Sequence, residues 1–224
     1  MIKKLLATSI FALFLTSQAF AADTRTDTSK IHAHRGFYFS ADLALSYATS
    51  EDIVPHRGDK VALKCNGWLP YSEVRVGGYI ANIVSVYGAF GLGLGKADYE
   101  NPSAHDSDKR KMDAVVMKAL LGVGAEFYPF QNKESALYGL YFGLSVGYEM
   151  VKTQDDNDGL TYNSAKDDLN DFPSVFIRPE IGYDWWFSPR WRFGVAFNYS
   201  YGKIDDDWET NTNHSFNFAI RIAR

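Results

Sequence analysis

The sequence of 224 residues is poor in the features that stabilise or anchor many exported proteins. It has a single cysteine, Cys65, and therefore cannot form an internal disulfide. Beyond residue 21 no stretch approaches 18 uninterrupted apolar residues, so we predict no transmembrane helix. Basic residues are not in excess, and the formal net charge of −4 gives no reason to expect a nucleic-acid partner.

The first 21 residues have the pattern of an export signal. A basic start precedes the apolar run 5–15, and a small-x-small triplet typical of a cleavage site follows. We expect residues 1–21 to be removed. The remaining chain is predicted to consist of a polar N-terminal leader, 22–35, and one domain, 36–224.

The sequence also lacks a recognisable catalytic or metal-binding constellation. His214 and Ser215 are adjacent, and adjacent residues of a strand point to opposite faces, so they cannot act as a pair. The segment 155–159 resembles a calcium loop but lacks the acidic residues needed at the first and last ligand positions. His32 and His34 lie in a leader that we expect to be flexible. We predict no catalytic residue, no cofactor and no metal site.

The dominant feature of the sequence is alternation. In segment 191–201 every odd position is large and apolar or aromatic, and every even position is small, polar or charged. Successive side chains of a β-strand point to opposite faces, so this period of two predicts a strand. Seven further segments show the same pattern, and together they predict eight strands of about ten residues. These are 37–47, 73–80, 84–94, 113–128, 137–150, 175–185, 191–201 and 215–223.

The connections between these strands alternate between long and short. Four are long and polar, namely 48–69, 95–111, 151–173 and 202–213. An even number of strands with alternating connection lengths predicts an all-β, eight-stranded antiparallel up-and-down barrel, because closure removes the exposed strand edges.

Alternation alone does not show which face lies outside, since a soluble lipocalin-like barrel has its apolar face inward. The polar face carries many glycines and alanines, which the narrow bore of an eight-stranded barrel requires. It also carries charges of both signs, which can pair in an enclosed lumen. The predicted lumen charge network comprises Asp42, Glu73, Arg75, Lys118, Glu126, Glu149, Arg178, Glu180, Asp184, Arg192 and Arg221.

Aromatic residues crowd the strand ends and favour an apolar face that contacts lipid. Two aromatic belts are typical of transmembrane barrels, in which they lie at the two membrane interfaces. The predicted girdles comprise Tyr47, Trp68, Phe127, Tyr148, Trp185, Trp186, Phe187, Trp191, Phe193, Tyr199 and Tyr201.

With these features the chain resembles the small eight-stranded outer-membrane barrels of Gram-negative bacteria, the class that includes OmpA-type transmembrane domains and opacity-protein-like adhesins. The resemblance covers about 36–224 and includes the segment 122–129, Gly-Val-Gly-Ala-Glu-Phe-Tyr-Pro, before a short turn. Chains of this class usually end in an aromatic residue, whereas this sequence ends in Arg224.

The resemblance implies a monomer in the bacterial outer membrane, with short periplasmic turns and long extracellular loops. The implied partners are outer-membrane lipid and lipopolysaccharide. The charged, Asn and aromatic residues of loops 151–173 and 202–213 also suit adhesion to a host or cell-surface partner. We expect a structural or adhesin-like role, with the lumen closed by paired charges. The alternatives are a narrow channel for small solutes or ions and, third, a lipid-A-modifying enzyme.

Overall fold

The computed structural model describes residues 34–56, 59–80, 82–100, 111–155, 174–205 and 210–224. The expected export signal, 1–21, lies outside them. Eight strands are present: β1 Phe37–His56, β2 Asp59–Ile80, β3 Val84–Glu100, β4 Lys111–Phe127, β5 Leu140–Asp155, β6 Ser174–Trp186, β7 Arg192–Asp205 and β8 Thr210–Ala223.

The eight strands form a closed barrel, as predicted. Each strand pairs antiparallel with its neighbours in sequence, and β1 closes the sheet by pairing with β8. The predicted fold class is therefore confirmed. No helix among the described residues is long and apolar enough to cross a membrane.

The barrel has two distinct ends. The connections that follow β2, β4 and β6 lie at one end, together with His34 and Arg224, and we call this the turn end. The connections that follow β1, β3, β5 and β7 lie at the opposite end, which we call the loop end. The connections after β3 and β5 are long and those after β2 and β6 are short, as predicted. The predicted order fails after β1 and β7, where 57–58 and 206–209 are short, and after β4, where 128–139 is long.

The strands are longer than predicted, at 13 to 22 residues. β1 and β2 continue through almost all of the predicted loop 48–69 and are separated only by residues 57–58. Strand residues also take up parts of the predicted loops 95–111, 151–173 and 202–213. The prediction was wrong because the backbone ladder needs no apolar face, so polar residues extend it. Residues 101–110, 156–173 and 206–209 lie outside the described part of the chain.

The outer face is apolar and the inner face is polar. Along β6, buried and exposed residues alternate for most of its length. Thirty large apolar side chains of the described residues are exposed, among them Leu121, Val123 and Phe218. An exposed apolar surface of this extent is unfavourable in water and marks a face that contacts protein or lipid.

Inward glycines make room for large side chains that cross the bore. A Cβ at Gly182 would overlap the ring of Tyr141, and one at Gly91 would overlap the ring of Tyr71. The small residues of the polar face therefore have a packing function, because the narrow bore holds large and small side chains side by side.

Candidate functional site in the barrel lumen

The structure places all eleven predicted lumen charges inside the barrel. Each is buried, and the most exposed of them, Glu180, is only 7% exposed. Seven of the eight strands contribute, and β3 supplies small residues and tyrosine instead. Six carboxylates face five cations, so the network as a whole is close to neutral.

Arg75 is the centre of this network. Its Nε lies 2.7 Å from an oxygen of Glu73, and its Nη1 lies 2.9 Å from Glu126. Its Nη2 lies 2.6 Å from Glu180 and 3.2 Å from Asp42. One guanidinium therefore joins carboxylates from β1, β2, β4 and β6, and this pairing offsets the cost of burying charge.

Arg178 forms a second, bidentate pair with Glu73. Its Nη1 and Nη2 donate to the two carboxylate oxygens at 2.5 and 2.7 Å, and its Nε donates to Ser145 Oγ at 3.0 Å. The two parallel bonds fix the geometry as well as the charge balance. This pair links β6 to β2 across the lumen.

Glu126 accepts hydrogen bonds from several side chains in the turn-end half of the lumen. Tyr38 donates to it at 2.7 Å and Tyr128 at 2.6 Å, while Arg221 donates at 3.0 Å. Arg221 also contacts the hydroxyl groups of Tyr38 and Tyr141. These contacts satisfy several acceptor positions of one buried carboxylate, as a buried polar network requires.

A smaller ion pair lies closer to the loop end. Lys118 Nζ is 3.1 Å from Glu149 and donates to Ser215 Oγ at 2.8 Å. A cavity of about 10 Å³ borders Lys118, Asn213 and Cys65. A space of this size holds about one water molecule.

The aromatic residues of the predicted girdles lie at both ends of the apolar band. Trp68 and Tyr148 are more than half exposed near the loop end, as is Phe187 near the turn end. Tyr47 packs on Trp68 with ring centroids 5.1 Å apart. The other outward members are Phe127, Trp185, Trp191, Phe193, Tyr199 and Tyr201.

Trp186 was wrongly assigned to a girdle. Its ring lies 5.2 Å from the guanidinium of Arg192 and 5.4 Å from the ring of His34, inside the turn end. The alternation of β6 explains this position, because Trp186 is in phase with the inward-facing Asp184 and out of phase with Trp185.

Three further residues, His214, Ser215 and Cys65, are of types that occur in reactive sites. His214 lies on the outer face, where its Nδ1 is 2.7 Å from the Tyr199 hydroxyl, whereas Ser215 faces the lumen. Cys65, expected in an outer loop, is instead buried in β2 because that strand extends through the segment. Among the described residues, no cluster of His, Cys, Asp or Glu is arranged to hold a metal ion.

The role of His34 could not be predicted from the sequence. We expected a flexible leader, but this residue is inserted into the turn end and is 1% exposed. Arg192 Nη1 lies 2.7 Å from its Nδ1. The leader has no periodic pattern, so no sequence signal marks the insertion.

No protein-family model and no curated protein matches the sequence. Among solved structures, the outer membrane protein OprG from Pseudomonas aeruginosa aligns over 86% of this chain and 97% of its own, with 12% identity and a TM-score of 0.51. The chain has the fold of a small outer-membrane barrel.

Two other barrels align over most of their length with lower TM-scores. Neisserial surface protein A has 16% identity and a TM-score of 0.45, with 84% of this chain and 95% of that chain covered. Ail of Yersinia pestis, solved with a heparin analogue, has 15% identity and a TM-score of 0.34, with 82% and 98% covered.

Proposed function

We propose that this protein is a non-conducting outer-membrane barrel that presents its loop end at the cell surface for interaction with a partner. In this arrangement the turn end faces the periplasm. The apolar outer band supports insertion in lipid, because transmembrane barrels carry such a band between two aromatic belts. The fold shared with OprG supports the same location.

The observation that carries the non-conducting role is the filling of the lumen by paired side chains. Four arginines, Arg75, Arg178, Arg192 and Arg221, are each at most 2% exposed and contact carboxylates directly. The interior of an eight-stranded barrel is just wide enough for side chains. An ion in transit would have to displace several charge-assisted hydrogen bonds at once.

We expect the refolded protein to produce no stable unitary currents in planar lipid bilayers. The lumen network blocks passage at several levels, from Arg192 at the turn end to Lys118 near the loop end. Heat-modifiable migration of the same preparation serves as the control that folded barrel is present. Reproducible openings of one size would instead favour the alternative function of a narrow channel.

The surface role is supported by the extension of the strands past the aromatic belt. Residues 48–56 of β1 follow Tyr47, and at about 3.3 Å per residue they add about 30 Å of strand. β2 accompanies them in antiparallel register as far as Asp59. A paired hairpin is a stiffer support for a binding surface than a long flexible loop.

We expect short turns in place of 156–173 and 206–209 to abolish attachment to a partner surface while leaving the barrel folded. The described strands remain intact in this variant, because β5 ends at Asp155 and β7 at Asp205. The measurement is attachment of non-adherent bacteria expressing the protein to epithelial cells, with each replacement also tested singly. Attachment equal to that of the unaltered protein would contradict a surface role for these segments.

A further inference from the structure

The last two residues of the leader, His34 and Arg35, and the adjoining Gly36 are held across the turn end. The carbonyl oxygen of Gly36 accepts a hydrogen bond from the backbone N of Tyr79 at 2.9 Å. The Nε of Arg35 donates to Oδ1 of Asn82 at 2.8 Å. These two contacts turn the chain so that the preceding side chain points into the barrel. We call the three residues the leader plug.

The imidazole ring of His34 fills a closed aromatic site. It stacks on the ring of Tyr128 with centroids 3.9 Å apart. Three more rings lie with their centroids between 5.4 and 5.9 Å away: Tyr79, Tyr138 and Trp186. With Arg192 these four aromatic residues form what we call the imidazole site, drawn from β2, β6, β7 and the connection between β4 and β5.

The hydrogen bond to Arg192 selects one protonation state of the ring. A guanidinium has only donors, so the His34 Nδ1 that faces Arg192 Nη1 at 2.7 Å must be the acceptor. The ring is then neutral, with its proton on Nε2. A second proton would place an N–H group of the ring against an N–H group of Arg192.

The surrounding charges do not favour a cationic ring. Arg192 is the nearest charge, and Asp184 lies 3.2 Å from the same guanidinium nitrogen and is engaged with it. Farther away, Glu126 and Arg221 pair with each other. Burial first, and then Arg192, holds the pKa of His34 well below its usual value.

We propose that the turn end of the barrel is a binding site for one neutral imidazole ring, that His34 fills it from within the chain, and that protonation of the ring releases the leader plug. The plug adds to the closure of the bore at the turn end, where His34 contacts Arg192 of the arginine network. Release of the plug at low pH makes the turn end of the barrel sensitive to acid.

The direction of the response follows from linkage. The free leader takes up a proton near the ordinary histidine pKa of about 6.5, whereas the docked ring does so only at lower pH. Docking is therefore at full strength above about pH 6.5 and is lost as pH falls. Between the two pKa values the docking equilibrium constant falls about tenfold per pH unit.

The first test is whether an emptied site binds free imidazole. His34→Ala removes the ring without altering a strand. We expect this variant, folded in detergent micelles at alkaline pH, to bind imidazole saturably with a change in tryptophan fluorescence, because Trp186 lines the site. The unaltered protein and a His214→Ala control should show no saturable change. A heat-modifiable His34→Ala barrel that binds no imidazole would overturn the proposal.

The second test uses trypsin cleavage after Arg35 and does not require an emptied site. Cleavage is normalised to a free peptide of the same sequence at each pH, so that the ratio reports the fraction of undocked leader. We expect the ratio for the unaltered protein to rise about tenfold per pH unit below about pH 6.5. His34→Phe, whose ring cannot take up a proton, should give a flat profile. A flat profile for the unaltered protein, or an equal rise in His34→Phe, would show that the ring is not the acid-sensitive group.

Discussion

Replacement of Arg75 by Met is expected to lower the free energy of unfolding by about 3–5 kcal/mol, the range seen when one partner of a buried ion pair is removed. Arg75 is 1% exposed and lies within 3.2 Å of oxygens from Glu73, Glu126, Glu180 and Asp42. Met retains much of the side-chain length but neutralises none of these carboxylates. Urea unfolding of the folded barrel in lipid vesicles, followed by tryptophan fluorescence, provides the measurement.

The matched control is Arg190→Met, which removes the same group from an exposed position in the connection after β6. Exposed charges contribute little to stability, so this variant should unfold within about 0.5 kcal/mol of the unaltered protein. Adding Glu180→Gln to Arg75→Met should restore part of the loss, because it removes one of the carboxylates left without its partner. Equal stability of the two single variants would mean that the lumen network does not stabilise the barrel.

Replacement of Phe197 by Arg is expected to cost about 2–4 kcal/mol in the free energy of folding into a bilayer, since it puts a charge on the lipid face near the middle of the band. Phe197 is half exposed and lies between Ile181 of β6 and Phe218 of β8. No counter-charge faces outward at these paired positions. The fraction of heat-modifiable protein after folding into vesicles, and its urea midpoint, report the effect.

Thr212→Arg is the matched control for Phe197→Arg, because it adds the same charge on the outer face of β8 at the loop end. Thr212 pairs with Glu51 and Lys203, beyond the aromatic belt. We expect this variant to fold as the unaltered protein does. If both arginines are tolerated equally, the outer face does not contact lipid.

Asn198 shows that the face on which a residue lies is not enough to predict the effect of replacing it. Alternation places Asn198 inside the lumen next to the outward Phe197, and from this alone Asn198→Asp should be harmless. In the structure its Nδ2 donates to a carboxylate oxygen of Glu180 at 3.0 Å. A carboxylate there would face another carboxylate, so the change is expected to destabilise the barrel.

The inward face and the buried charges were predicted with the help of the glycines, the charges of both signs and the aromatic belts. Alternation itself was sufficient to predict the number of strands and which residues share a face, because a period of two is a local property of the chain. It could not predict which charges meet. Arg75 and Glu180 are 105 residues apart and come together only because the tilt and register of a closed sheet set the facing positions. Strand length was missed for another reason, since residues 48–56 pair with β2 without an apolar face.

Trp186 and His34 mark two different limits of sequence reasoning. The inward position of Trp186 was readable from its phase with Asp184, but its aromatic character suggested a membrane belt. The insertion of His34 was not readable, because a single residue before the first strand belongs to no periodic pattern. Its site is assembled from Tyr79, Tyr128 and Arg192, which lie far apart in the chain.

The pairing of β1 with β8 has a consequence for the order of assembly. Arg221 of β8 and Tyr38 of β1 are 183 residues apart in sequence, and their contact forms only when the sheet closes. The same closure brings Arg221 to Glu126, so the last strand delivers a cation that completes the lumen. Loop-closure entropy must be overcome before this contact forms, so we expect closure to be slow relative to the pairing of neighbouring strands. A chain arrested before β8 would keep an open strand edge and a hydrated Glu126 carboxylate. Closure therefore removes water from the lumen and protects the sheet from edge-to-edge aggregation in the same step.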